Sequence, residues 1–143
     1  QIDKIIAKMI DVNEGLSRKF EVLISIPSIG QATAFSMLIE MPELGTMTGK
    51  QAASLAGLAP ISRQSGKWQG KERIQGGRAF FRRAMYMPAL CIIRHNLSSK
   101  QKYDQMIKCG KPAKVAITAL MRKLVVLANV LLRDDRIWTE KLT

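Results

Sequence analysis

The stretch PAKVAITALMRKLVVLANVLL, residues 112–132, decides the fold class of this chain. Its apolar side chains recur every three or four residues, which is the period of one face of an α-helix. The predicted core stripe consists of Val115, Ala116, Ala119, Leu120, Leu124, Leu127, Ala128 and Leu131. Pro112 suits the first position of a helix, because that position needs no backbone N–H donor. The stretch therefore predicts a long core helix.

Helical patterns separated by Pro and Gly fill most of the remaining chain. Apolar residues of the 3–24 stretch fall largely on one face and predict one long helix, the end of a coiled-coil arm. A second helix is predicted over about 31–41. A third follows Thr48, which suits an N-cap, and ends at Gly57. The chain begins at Gln1 directly in this helical pattern, so we expect it to be part of a longer protein.

Two more helices are predicted before the core helix. One covers about 78–94, with a kink expected at Pro88 because proline removes one backbone hydrogen bond. The other starts after Ser98 or Ser99 as the N-cap and ends near Gly110. Aromatic residues make up only 6% of the chain and hydrophobic residues 47%, a balance that favours a packed helical domain. We therefore predict an all-α fold, with a helical arm over 1–24 and one compact domain over 25–143.

Charge is distributed unevenly along the chain. The formal net charge is +12, and residues 1–60 hold 5 basic and 6 acidic side chains, whereas residues 61–143 hold 18 and 5. A positive field concentrated in one part of a domain attracts polyanions such as DNA and RNA. The alternative is a basic protein whose charge serves solubility alone. Because the excess is localised, we favour nucleic-acid binding.

Several other classes of protein are disfavoured. Cys91 and Cys109 do not form a disulfide framework or a CxxC pair, and His95 is the only histidine, so we predict no metal site and free core thiols in a reducing cytoplasm. We find no signal peptide and no uninterrupted run of about 18 apolar residues, and expect no membrane partner.

Residues 61–77 break the helical pattern with glycine, serine and basic side chains. We predict a basic loop or a short β-hairpin here, and loops between helices often carry function. Together with the helix that follows, the stretch supplies seven basic residues, with Glu72 as the only acid among them: Arg63, Lys67, Lys71, Arg73, Arg78, Arg82 and Arg83. Arginine binds phosphate in a bidentate manner, so these residues are candidate nucleic-acid contacts. The alternative is a solvated charged surface.

Ile26-Pro27-Ser28-Ile29-Gly30 between two helical stretches resembles the turn of a helix-hairpin-helix. Such a turn directs backbone N–H groups and a helix N-terminus at a phosphate, which makes Ile29 and Gly30 candidate contacts. The usual motif has glycine at the position of Ser28. The alternative is an ordinary helix–helix turn that serves packing.

Ser65 is the residue whose surroundings best suit covalent chemistry. A serine hydroxyl beside Gly66 and ringed by cations suits attack on a phosphodiester, since the cations stabilise charge on phosphorus. A group that would take the proton of this hydroxyl is missing nearby in the sequence, since the nearest acid is Glu72. From the residues alone, a turn residue remains the alternative.

These motifs occur in an order that resembles one family. Besides the 26–30 and 63–66 stretches, the order includes Ala56-Gly57-Leu58-Ala59-Pro60, Gly77, Arg82-Arg83-Ala84-Met85-Tyr86-Met87, Arg94-His95-Asn96 and Gly110-Lys111-Pro112. The chain resembles the C-terminal domain of insertion-sequence one-ten type transposases, the DEDD transposases that act as bridge-RNA-guided recombinases. The resemblance covers roughly residues 24–132, and Ser28 and Pro88 depart from its usual pattern.

The resemblance implies a mechanism that the spacing did not reveal. It makes Ser65 of the Ser65-Gly66 pair the nucleophile that becomes covalently attached to DNA, with Ser62 ranked second. It implies that acidic residues of a RuvC-like domain outside this chain hold magnesium and complete the site. DNA, a guide RNA and further copies of the protein are then the expected partners, in the bacterial cytoplasm at the nucleoid. This chain alone is expected to be inactive. A non-catalytic helix-hairpin-helix module that binds DNA or RNA remains the alternative.

Overall fold

The computed structural model describes the backbone of residues 1–61, 64–65, 68–69, 73–74 and 77–140, and the side chains of residues 1–59 and 77–140. Helices dominate these residues, which confirms the predicted all-α class. The helices are α1 (Ile2–Asp11), α2 (Glu14–Ile24), α3 (Gln31–Glu40), α4 (Gly49–Leu55), α5 (Ala79–Ala84), α6 (Tyr86–His95), α7 (Leu97–Lys108) and α8 (Ala113–Asp134). Four two-residue strands, β1 (Pro60–Ile61), β2 (Gln64–Ser65), β3 (Trp68–Gln69) and β4 (Arg73–Ile74), lie between α4 and α5.

The long helix α8 forms the centre of the domain, and α2, α4, α6 and α7 pack against it. Its predicted stripe is largely buried, except that Val115 is 48% exposed near the start of the helix. Asn129, which the apolar pattern did not single out, is completely buried. Its side-chain oxygen accepts from the Gly45 amide at 2.7 Å, and its nitrogen donates to the Met47 carbonyl at 2.8 Å. This asparagine therefore fixes the connection between α3 and α4 to the core helix.

The N-terminal stretch consists of two helices rather than the one long helix predicted. Asn13 separates them, because its side chain accepts a hydrogen bond from the Leu16 amide and caps α2. Val22 and Leu23 of α2 are buried against the rest of the domain. The division into an arm and a domain at residue 24 stays a prediction.

The helical region around Pro88 also differs from the prediction in detail. The helix breaks at Met85, between α5 and α6, so Pro88 lies in the first turn of α6, where a backbone N–H is not needed. Asn96, and not Ser98 or Ser99, caps α7 by accepting from the Ser99 amide. Pro112 is the N-cap of α8, so the helix begins at Ala113, one residue later than predicted.

The four strands form two antiparallel pairs. β1 pairs with β4, with Pro60 opposite Ile74, and β2 pairs with β3, with Ser65 opposite Trp68. Of the two alternatives for the 61–77 stretch, these pairs fit the short hairpin. We call the four strands the ribbon.

The structure bears on two expectations about the surface of the protein, of which the one about the cysteines is wrong. Helix α8 is long and apolar enough, by length and composition alone, to cross a membrane, although the sequence showed no uninterrupted run because Arg122 and Lys123 divide it. Half of its apolar stretch is buried inside the domain, as in the core helix of a globular protein. Cys91 and Cys109 were expected in the core, but both are exposed.

Candidate nucleic-acid interface

Two hydrogen bonds of the Ser25 hydroxyl fix the start of the turn between α2 and α3. Ser25 donates its hydroxyl proton to the Val22 carbonyl and accepts from the Trp138 amide at 2.8 Å. Ser28 has φ 73°, in the left-handed region where glycine is favoured, so this serine occupies the position at which the motif usually has glycine. Its hydroxyl is buried without a hydrogen-bond partner among the described residues.

The two candidate contacts in this turn are placed differently. The side chain of Ile29 is 4% exposed, and its amide donates to the Ile26 carbonyl at 3.1 Å, so both are used inside the protein. Gly30 is exposed and is the N-cap of α3, which has no side-chain cap. The first intrahelical bond runs from the Ala34 amide to the Gly30 carbonyl, so the amides of the first turn point away from the helix. Of the pair, Gly30 is the better placed to meet a phosphate.

Arg78 links the end of the ribbon to the connection between α3 and α4. Its guanidinium contacts both carboxylate oxygens of Glu43, at 2.7 and 3.1 Å, and donates to the Glu40 carbonyl. The hydrogen bond from Arg78 lowers the pKa of Glu43, and that same bond raises the pKa of Arg78. This predicted phosphate contact is thus engaged within the protein, and it would have to give up an ion pair to bind nucleic acid.

Two further arginines hold the segment that leads into the ribbon. Gly57 follows the C-cap of α4 and has φ 73°, and the Leu58 amide donates to the Ala53 carbonyl. This is the Schellman arrangement that terminates a helix. Arg82 donates to the Gly57 carbonyl at 3.2 Å, and Arg122 donates to the Leu58 carbonyl at 2.9 Å. Cations at the carbonyl end of a helix are favoured by its dipole.

Gly77 closes the other side of the ribbon. Its φ is +70°, and a Cβ built on it would lie 2.3 Å from both the Cα and the N of Gly57. The two backbones therefore touch where the chain enters and leaves the ribbon. The Arg78 amide adds a hydrogen bond of 3.0 Å to the Leu55 carbonyl. We call the Gly57–Gly77 contact, together with Arg78, Arg82 and Arg122, the clamp.

The remaining predicted residues lie on or beyond this ribbon. Ser65 is in β2 and Arg73 in β4, and only their backbones are described. Arg63, Lys67, Lys71, Ser62 and Gly66 lie outside the described residues. Arg83 follows Arg82 on α5 and is exposed. The described structure thus fixes both ends of the segment that carries Ser65.

Metal-binding geometry is absent from the part of the chain that is described. No three side chains among its His, Cys, Asp and Glu residues lie close enough to hold an ion. Asp134 instead pairs with Arg133 and Arg136, which lowers the pKa of its carboxyl group.

Sequence reasoning placed Arg82 in the basic cluster but did not anticipate that it holds a carbonyl. The position of Arg122, two residues before the apolar continuation of α8 at Leu124, gives no sign of its partner, because that partner is a carbonyl 64 residues away. The one signal for the clamp in the sequence was the placement of Gly57 and Pro60 before the 61–77 stretch and of Gly77 at its end.

The sequence is similar to a family of known proteins. Residues 20–105 match the family described as Transposase IS116/IS110/IS902, a range that contains the turn between α2 and α3, the Gly57–Gly77 contact and the ribbon. The chain is 32% identical over 140 residues to a pilin gene-inverting protein of Moraxella bovis, covering 95% of this chain and 44% of that protein. It is 31% identical over 124 residues to an uncharacterized 43.6 kDa protein of insertion element IS110 from Streptomyces coelicolor, covering 85% of this chain and 30% of the relative.

A third relative is an uncharacterized 42 kDa protein of insertion element IS900 from Mycobacterium paratuberculosis, 31% identical over 128 residues, with 85% of this chain and 31% of that protein covered. The chain therefore spans less than half the length of the curated relatives it matches. Because the family match includes more than half of its residues, the chain belongs to the IS116/IS110/IS902 family of transposases.

Proposed function

We propose that this chain is the DNA-binding and nucleophile-bearing domain of an insertion-sequence transposase, which cleaves and exchanges DNA strands through a serine phosphodiester. The observation that carries the proposal is the Gly57–Gly77 contact, which lies within the family-matched region and holds together both ends of the segment bearing Ser65. A nucleophile must be held in position to react efficiently, and a ribbon fixed at its base meets that need. The relative named a pilin gene-inverting protein supports a role in DNA rearrangement.

The proposed reaction is one transesterification. The Ser65 hydroxyl loses its proton to a base, and its oxygen forms a bond to phosphorus. The bond from phosphorus to one sugar oxygen breaks, and that oxygen leaves as a hydroxyl after accepting a proton. Rejoining to another strand reverses these steps. Basic side chains around the site would stabilise the charge that develops on the phosphoryl oxygens.

Other components of this reaction lie outside the chain. We propose that acidic residues of a RuvC-like domain hold magnesium, which would supply Lewis-acid chemistry, and that this domain completes the site in a homo-oligomer. A guide RNA is the proposed second nucleic acid. Ser62 is the second candidate for the nucleophile. The domain is proposed to act on bacterial DNA in the cytoplasm.

A second candidate function is a helix-hairpin-helix module that positions nucleic acid without chemistry. The exposed Gly30 at the uncapped start of α3 favours it, since helix N-termini bind phosphate. The two functions differ in covalency, because a module binds in a salt-dependent way and leaves no protein attached to DNA.

Nucleic-acid binding is common to both functions and is tested first with this chain alone. We expect weak binding to DNA or structured RNA, measured by fluorescence anisotropy, with affinity that falls steeply as salt is raised. Binding that is absent at about 50 mM salt would contradict both proposals.

A further inference from the structure

An open groove lies between the α5–α6 corner and the first turns of α8. Its volume is 480 Å³, and it is lined by Arg82, Arg83, Tyr86, Lys114, Ile117, Thr118 and Met121. Sites for small molecules have volumes of about 300–1,000 Å³, so the groove is large enough for one nucleotide. It is separate from the turn between α2 and α3 and contains none of that turn's residues.

The groove combines two cations with an aromatic ring. Arg83 and Lys114 are exposed, and neither side chain has a hydrogen bond or ion pair to another residue in the described part of the chain. None of the lining residues carries a carboxylate. Tyr86 is 46% exposed although it is a large apolar ring, and Ile117 and Met121 form the buried floor. A cationic rim over an apolar floor suits a ligand with a phosphate and a flat ring.

We propose that this groove binds one unpaired nucleotide of a DNA or RNA strand, with its phosphate against Arg83 and Lys114 and its base against Tyr86. The inference rests on the proposed function, since it assigns a site to the nucleic acid that this domain would bind. Base stacking on an aromatic side chain does not depend on sequence, because every base has a π-face.

An unpaired nucleotide fits the groove better than a duplex does. A duplex presents phosphates but keeps the faces of its bases stacked on one another, so only the cations of the groove would contact it. The exposed ring of Tyr86 would then have no partner. A single strand presents both groups at once, as strand exchange requires at the point of cleavage.

The groove is joined to the clamp through one residue. Arg82 lines the groove and donates to the Gly57 carbonyl at the base of the ribbon. A strand held in the groove therefore lies beside the segment that leads to Ser65.

The test compares variants of the groove with matched variants elsewhere, in the same 143-residue chain. Tyr86→Ala is paired with Phe80→Ala, because Phe80 is an aromatic residue of α5 that is 67% exposed and does not line the groove. Arg83→Gln and Lys114→Gln are paired with Arg94→Gln and Lys100→Gln, whose side chains are exposed on α6 and α7. Circular dichroism and thermal unfolding confirm that each variant folds.

The probes are a single-stranded thymidine oligomer, a uridine oligomer of the same length and a DNA hairpin duplex. We expect Tyr86→Ala to weaken binding of the single strands about fivefold to a hundredfold, and binding of the duplex much less. Each groove cation variant should lower the slope of log affinity against log salt by about 0.7 for the single strands. The two oligomers distinguish DNA from RNA as the strand that the groove prefers.

Two results would overturn the inference. In one, Tyr86→Ala behaves like Phe80→Ala with every probe. In the other, the groove cation variants behave like their matched controls. Either result, with salt-dependent binding retained by the unaltered chain, refutes the groove while leaving the proposed function intact. If the unaltered chain binds none of the probes, the proposed function itself is refuted.

Discussion

Replacing Gly77 by alanine tests the clamp directly. The new Cβ would lie 2.3 Å from the Cα and N of Gly57 and 3.0 Å from the carbonyl carbon of Ala56. These neighbours are backbone atoms at the end of α4, so no side-chain rotation can make room. The variant must either separate the two ends of the ribbon or distort the end of the helix.

The expected cost has two parts. A φ of +70° disfavours an L-residue by about 1–2 kcal/mol. Overpacking against a fixed neighbour adds about 1–3 kcal/mol. We therefore expect the free energy of unfolding to fall by about 2–5 kcal/mol, which a domain of typical stability survives with a weakened clamp.

Gly110 provides the matched control for this variant. Its φ is +89°, but nothing lies within 4 Å of a Cβ placed there, so Gly110→Ala carries backbone strain alone. Urea unfolding followed by circular dichroism measures both variants, and covalent adduct formation in the intact protein measures the effect on Ser65. We expect Gly77→Ala to lose more stability than Gly110→Ala and to form adduct more slowly at temperatures where it is folded. Equal losses of stability, with equal adduct rates, would refute the idea that contact with Gly57 holds the ribbon in place.

Three further predictions follow from single contacts. Asn129→Ala removes two buried hydrogen bonds and leaves their backbone partners unpaired, so urea unfolding should show a loss of about 2–4 kcal/mol, and a loss under about 1 kcal/mol would contradict this role. Ser28→Gly should raise the free energy of unfolding by about 1 kcal/mol, because it relieves a left-handed φ and removes a buried hydroxyl without a partner; no gain would mean that the turn is not strained. The hydrogen bond from Arg78 lowers the pKa of Glu43, so its contribution to stability is complete above about pH 4.5 and is lost as the pH falls through the lowered pKa. Glu43→Gln should therefore show a smaller drop in melting temperature on acidification than the unaltered chain, and an identical drop would contradict the ion pair's role.

Local signals explain which helices could be predicted from the sequence. The capping box formed by Thr48 and Gln51 and the stop at Gly57 depend on neighbours within a few residues, and the prediction of α4 was correct at both ends. Asn13 was missed as a cap because the apolar spacing continues across it without interruption. Pro88 predicted a kink within one helix, whereas the structure has two helices divided at Met85, and the proline fits in the first turn of the second.

The roles of the arginines depend on the tertiary fold and could not be predicted. The sequence places Arg78 in a basic cluster, whereas folding brings it to Glu43, 35 residues earlier. Arg122 is separated from its carbonyl partner in the same way. Such long-range pairs leave no periodic trace, so the sequence predicted nucleic-acid contacts for Arg78 and Arg82 and did not predict the clamp. The groove was missed for the same reason, since Tyr86 and Lys114 come together only when α8 packs beside α5 and α6.

Covalent attachment to DNA is the most direct test of the proposed chemistry. The intact protein, with magnesium, its guide RNA and labelled target DNA, is separated on a denaturing gel, with Ser65→Ala and Ser62→Ala in parallel. We predict an adduct that Ser65→Ala abolishes and Ser62→Ala retains. An adduct that survives Ser65→Ala would place the nucleophile elsewhere, and the absence of any adduct with DNA binding intact would leave this domain as a module that only positions nucleic acid.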